Sequence, residues 1–255
     1  MLRNMRWIGW AAAAAVALCT VTVAANAETK PKVHKLGDVP AAVLYIGNSF
    51  FYYNNSLHNH VLKLVRADDP KGHYRATSAT ISGSGLNWHD VESLFSTDGM
   101  ASYSFAPGNK VVMNERNKKF DAAIMMDCSQ CPVNPQLKSL FGKASAKDAE
   151  IARKHGADPA LFMSWAYADK PEMTEQLAEA YTAAGNASNM LVIPAGLAFA
   201  RAKKEDPDLV LNVADKRHPT LAGTYLAACT VMASVYQRSP VGNTYHAGLD
   251  DKTAA

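Results

Sequence analysis

The stretch Ala41–Ser49, AAVLYIGNS, decides the fold. Its first six residues, Ala41–Ile46, form an unbroken apolar run, which fits a strand buried on both faces of a sheet. Gly47-Asn48-Ser49 breaks the run, and Leu57–Arg66 then sets Leu57, Val61, Leu64 and Val65 at helical spacing. A buried strand running into an amphipathic helix is half of a βαβ unit, so the rest of the chain should repeat the pattern.

It does. Further strands are predicted over Tyr74–Ile81, Phe120–Met126, Ala160–Trp165 and Asn189–Pro194. Helical spacing falls over Asn87–Phe95, Lys147–His155, Glu172–Ala184, Leu197–Lys204 and Leu221–Tyr236. The alternation implies right-handed crossovers and a three-layer α/β/α sandwich of about five mostly parallel strands. Ser96–Lys119, with Gly99, Pro107 and Gly108, reads as irregular and either lines a cleft or forms a surface loop. Glu28–Pro40 reads as an N-terminal tail, and Asn243–Ala255 is expected to fray.

The first 27 residues do not belong to the mature fold. Arg3 and Arg6 precede an apolar run from Trp7 to about Val23, and Ala25-Asn26-Ala27 supplies a small-x-small cleavage site. The run is short for a retained membrane anchor. These features predict an exported protein, periplasmic or secreted, with a single domain over 28–255 and no membrane association after cleavage. The whole chain carries 26 basic and 23 acidic side chains. Removing Arg3 and Arg6 leaves 24 against 23, so nothing in the charge asks for nucleic acid or an anionic surface as partner.

Chemistry gathers at two places. Ser49 sits where a parallel sheet presents its ligands, beyond the carboxyl end of a strand. There a hydroxyl becomes a nucleophile only with a base in reach. Asp215-Lys216-Arg217-His218-Pro219 supplies one: a carboxylate three residues before a histidine can bond Nδ1 and aim Nε2 at the serine. Pro219 holds His218 extended ahead of the last helix. Taken alone, each segment also reads as an ordinary turn with a helix cap. His58 and His60 are two apart, on different sides of a helix, so no metal site is expected there. No cofactor is called for.

Together these blocks resemble the SGNH (GDSL-like) hydrolase superfamily, in its exported bacterial Gly-Asn-Ser variant. The first block is Leu44–Phe50 (LYIGNSF), the last Asp215–Gly223 (DKRHPTLAG), and the resemblance runs from Val43 to Gly242. It implies a flavodoxin-like sheet and an esterase or deacylase working through an acyl-enzyme, on a small-molecule or glycan ester such as an O-acetyl group. Ser49 would be the nucleophile, His218 the base and Asp215 its orienter. The oxyanion would be held by the serine's own N–H, by Gly83 or Gly85 of the second block, and by a side-chain amide from the third. That third block departs from the family: Met126–Pro132 (MDCSQCP) lacks the usual Gly-x-Asn-Asp. Gln130 falls near the family's Asn, and Asn48 offers an alternative amide.

Cys128 and Cys131 form a C-x-x-C after a strand, with Cys229 the other cysteine outside the leader. The pair reads as a small disulfide, as free thiols, as a redox dithiol, or as one partner for Cys229. Two rivals to the esterase follow: a binding or accessory protein on the same fold, and a C-x-x-C thiol oxidoreductase.

Overall fold

A computed structural model describes residues 30–96, 103–108, 110–113 and 120–254. The leader and its cleavage site lie outside the described residues, as does much of Ser96–Lys119.

Five parallel strands form the main sheet: β1 (Ala42–Gly47), β2 (Arg75–Thr80), β5 (Ala122–Met125), β6 (Asp158–Phe162) and β7 (Leu191–Ile193). Their order is β2-β1-β5-β6-β7. Every residue of β1 and β5 is buried, as unbroken apolar runs require. β2 is an edge strand and only half-buried, which matches its mixed sequence RATSAT. Two further strands, β3 (Tyr103–Ala106) and β4 (Lys110–Met113), pair as an antiparallel hairpin inside the stretch expected to be irregular.

The helices are α1 (Ser49–Tyr52), α2 (Leu57–Asp68), α3 (Val91–Phe95), α4 (Lys138–Lys154), α5 (Met173–Ala187), α6 (Ala195–Glu205), α7 (Leu221–Val235) and α8 (Asp251–Ala254). α2 packs against α7, while α4 packs against α3 and α5, giving the two outer layers. Among the described residues no helix is long and apolar enough to cross a membrane.

Several boundaries differ from the sequence reading. Asn87–Phe95 is not one helix: a 3-10 turn at Leu86–Trp88 ends at His89, and Asp90 caps α3 by accepting from Ser93 N–H. α4 starts at Lys138, not Lys147; its first turns bury Phe141, Ala144 and Ser145 and contain Gly142, so a single large apolar residue marks them. The fourth strand ends at Phe162 and leaves Trp165 in the loop beyond. The C-terminus does not fray. Asn243 donates to the Leu64 carbonyl, and Tyr245 and Leu249 pack on the core. The N-terminal tail is also held, because Gly37 N–H donates to Asp158 and Ala42 N–H to Asp121 at the sheet's lower edge.

The chain steps from β1 out to β2, then crosses back to β5 on the far side of β1. That reversal opens a crevice at the carboxyl end of β1, where open α/β sheets bind ligands.

Candidate active site

β1 ends at Gly47, where a Cβ would stand 2.9 Å from the Phe51 ring, so a larger residue here would displace that buried ring. Asn48 caps α1 by accepting from Phe50 N–H. Ser49 is the first residue of α1, and no hydrogen-bond acceptor takes its N–H among the described residues. Asn48 Nδ2 donates to the carbonyls of Ser84 (2.9 Å) and Asp127 (3.2 Å). Both amide hydrogens are thereby committed, which corrects the reading of Asn48 as an oxyanion donor: it ties three strand-end loops together instead.

The second segment folds on itself before it reaches Ser49. Val213 N–H donates to the His218 carbonyl, and Asn212 bridges Pro219. Asp215 Oδ1 accepts from the N–H groups of Arg217 and His218, both at 2.9 Å, with Lys216 left-handed between them (φ 65°). Asp215 Oδ2 then meets His218 Nδ1 at 2.5 Å. His218 Nε2 lies 2.8 Å from Ser49 Oγ. The two ends of the sequence, 169 residues apart, therefore meet within hydrogen-bond distance.

Desolvation pushes the Asp215 carboxyl up, but hydrogen bonds from the His218 ring and the two N–H groups outweigh it and hold the group at about 2. It is ionised across the neutral range and accepts from the ring.

Aromatic rings fix the imidazole. Tyr53 stacks on it at 4.3 Å between centroids, and Phe50 meets it edge-on at 5.4 Å. Phe50 stacks in turn on Trp165, and Trp165 on Phe199. Trp165 Nε1–H donates to the carbonyl of Arg217, the residue before His218. Asn54 donates to the carbonyl of Pro219, the residue after it, and to Thr224 Oγ1. Asn54, Asn55 and Ser56 all have positive φ (52°, 66° and 71°), backbone strain set beside the site. None of these supports was singled out from sequence. For Asn54 a signal existed: an Asn-Asn-Ser run tolerates left-handed backbone.

The loop after β2 carries both candidate glycines. Gly83 is exposed with φ +70°. Gly85 is buried; a Cβ there would stand 2.7 Å from Asp127 Oδ1. Neither N–H has an acceptor among the described residues. Asp127, not an amide, is the buried polar group of the third block. Its Oδ1 accepts from Leu86 N–H (3.0 Å) and Cys128 N–H (2.7 Å). Burial raises its carboxyl above the usual range against those two bonds. Gln130 is exposed on the turn closed by the Cys128–Cys131 disulfide, and its side chain has no hydrogen-bond partner among the described residues.

Cys229 stays free, with burial pushing its thiol up to about 11, so it offers little thiolate. Asp127, Cys128 and Cys131 cluster closely enough to hold a metal, but both sulfurs are spent in the disulfide. His60 is also occupied, by Tyr245 OH at Nδ1 and the Asn54 carbonyl at Nε2.

A cavity of about 240 Å³ lies between the loops after β2 and β5, lined by Gly83, Gly85, Trp88, Asp127 and residues of α4. A larger one, about 1020 Å³, opens at the other end of the sheet beside β7, and no candidate catalytic residue lines it.

No protein-family model and no curated sequence matches this chain. Solved structures do. A protein of Slackia heliotrinireducens described as an SGNH hydrolase aligns with TM-score 0.56 and 21% identity, over 76% of this chain and 97% of its own. A DUF4886 family protein of Bacteroides uniformis aligns with TM-score 0.58 and 22% identity, over 84% and 91%. An acetyl xylan esterase of Geobacillus stearothermophilus aligns with TM-score 0.56 and 12% identity, over 80% and 96%. The chain has the SGNH hydrolase fold.

Proposed function

We propose that this chain is a serine hydrolase of carboxylic esters, acting through an acyl-enzyme on Ser49. The observation that carries the reading is the unbroken relay Asp215 Oδ2–His218–Ser49 Oγ, at 2.5 and 2.8 Å, at the crevice of an SGNH-type sheet. His218 Nε2 takes the hydroxyl proton as Ser49 Oγ attacks the ester carbonyl. The imidazolium so formed faces the ionised Asp215 and then returns the proton to the leaving alcohol. Water, deprotonated by the same nitrogen, attacks the acyl-enzyme, and the imidazolium returns that proton to Ser49 Oγ as the acid leaves. The N–H of Ser49 and that of Gly83 or Gly85 would receive the oxyanion, each such donor typically contributing about 3 kcal/mol.

The substrate is read as a small-molecule or glycan ester. Export, with cleavage after Ala27, belongs to the same proposal, and an N-terminus at Glu28 in protein recovered outside the cytoplasm would support it.

One observation favours a second reading, a binding protein on this fold: the third block supplies a carboxylate already held by two N–H groups instead of a donor amide. A fluorophosphonate probe separates the two. Labelling of the wild type but not of Ser49→Ala, together with Ser49-dependent hydrolysis of p-nitrophenyl esters, supports the enzyme; an unlabelled, folded wild type rejects it.

A further inference from the structure

We propose that the 240 Å³ cavity is an acyl-chain subsite taking an aliphatic chain of about four to eight carbons, an inference that rests on the ester hydrolase reading above. Its position points to the acyl side of the bond. Gly83 and Gly85 line it, and the carbonyl of Ser84, between them, is held by Asn48, the residue before Ser49. An ester whose carbonyl oxygen turns to those glycine N–H groups directs its acyl chain into this space.

The lining chemistry selects the chain. The other walls are Trp88, Leu137, Leu140, Phe141 and the Cys128–Cys131 disulfide. Trp88 and Leu140 are 61% and 41% exposed, large apolar surfaces left open at the rim of a cleft. Among the described residues no cation lines the cavity, so an anionic group finds no partner there. Among the described lining residues Asp127 is the one carboxylate, already spending Oδ1 on two N–H groups, and Asn87 the one side-chain amide. A hydroxyl-rich sugar would find few hydrogen bonds here; a hydrocarbon needs none.

Size sets the length. A water takes about 30 Å³ of liquid, so the space equals roughly eight waters. An acetyl group would leave most of it empty, whereas a chain of about six carbons fills it. Each methylene entering such a pocket is typically worth tenfold or more in kcat/KM.

The experiment measures kcat/KM of the full mature protein on p-nitrophenyl acetate, butyrate, hexanoate and octanoate. Leu140→Trp and Leu140→Ala, changed at a partly exposed position of α4, are assayed in parallel with their melting temperatures. The wild type should gain at least tenfold from acetate to hexanoate. Leu140→Trp should erase that gain, and Leu140→Ala should move the optimum to longer chains. Ser49-dependent activity that favours acetate, or acetylated xylan over hexanoate, overturns the subsite and leaves the hydrolase standing. So does a chain-length profile unchanged in both folded variants. Hydrolysis of no ester at all overturns both.

Discussion

Asp215 grips its own turn with one oxygen and the imidazole with the other, so its geometry is set before His218 meets Ser49. Asp215→Asn would present an amide where the ring needs an acceptor and favour the wrong tautomer. In the best-studied serine triad that change costs about 10⁴ in kcat, and a loss of about 10³ to 10⁴ is expected here. Ester turnover by the folded variant checks it; a loss under tenfold would remove Asp215 from the relay. The carboxyl's value of about 2 fixes a second expectation. A depressed carboxylate contributes its interaction above its unfolded value, near 3.8, and loses it only as pH falls through about 2. An acid limb in kcat/KM above pH 4 therefore belongs to another group. At this scale Ser49, Asp215 and His218 were legible because two short blocks carry them. The commitment of Asn48 was not, since both its acceptors come from distant loops.

Elements decide how firmly those groups stay in register. The loop after β6 delivers Trp165, which stacks on the residue after Ser49 and bonds the carbonyl before His218. It touches the supports of both halves of the site. Trp165→Phe keeps a ring for the stack and deletes the hydrogen bond, worth about 1 kcal/mol. Turnover should fall roughly tenfold or more, because small misplacements of a base are costly, while KM and far-ultraviolet circular dichroism hold. An unchanged kcat would make the contact structural only. The loop after β5 carries the disulfide, which closes a ring of only a few residues and should stabilise by about 2 kcal/mol. Cys128→Ser should lower stability by that order and leave Ser49-dependent hydrolysis nearly intact; loss of activity in a folded variant would revive the dithiol reading. Strands were legible as apolar runs with a period. Trp165 was counted into a strand because aromatic character does not mark where pairing stops, and its partner Arg217 lies 52 residues away. The early turns of α4 hid for the opposite reason: beside Phe141 they bury only Ala144 and Ser145, which make no large stripe.

Across the whole molecule, the core carries a charge problem beside the third block. Asp148, on α4, is 3% exposed, and its Oδ2 has no hydrogen-bond partner among the described residues. Burial pushes its carboxyl up to about 7, with Lys147 lowering it and Asp127 raising it further. The folded state thus binds this proton more tightly than the unfolded chain, whose carboxyl titrates near 3.8. The stability it supplies is complete below about 3.8 and is lost as pH rises through about 7. A shift of this size corresponds to a few kcal/mol at alkaline pH. Asp148→Asn removes the titration. Its melting temperature should exceed that of the wild type by about 5 °C or more at pH 8.5, with the difference vanishing or reversing at pH 4.5, since 1 kcal/mol moves a domain of this size by roughly 2–4 °C. Equal differences at both values would show that Asp148 does not titrate on unfolding. Asp148→Asn, distant from Ser49 in sequence and absent from the relay, should raise the upper pH limit of working stability without altering the acid limb of the rate.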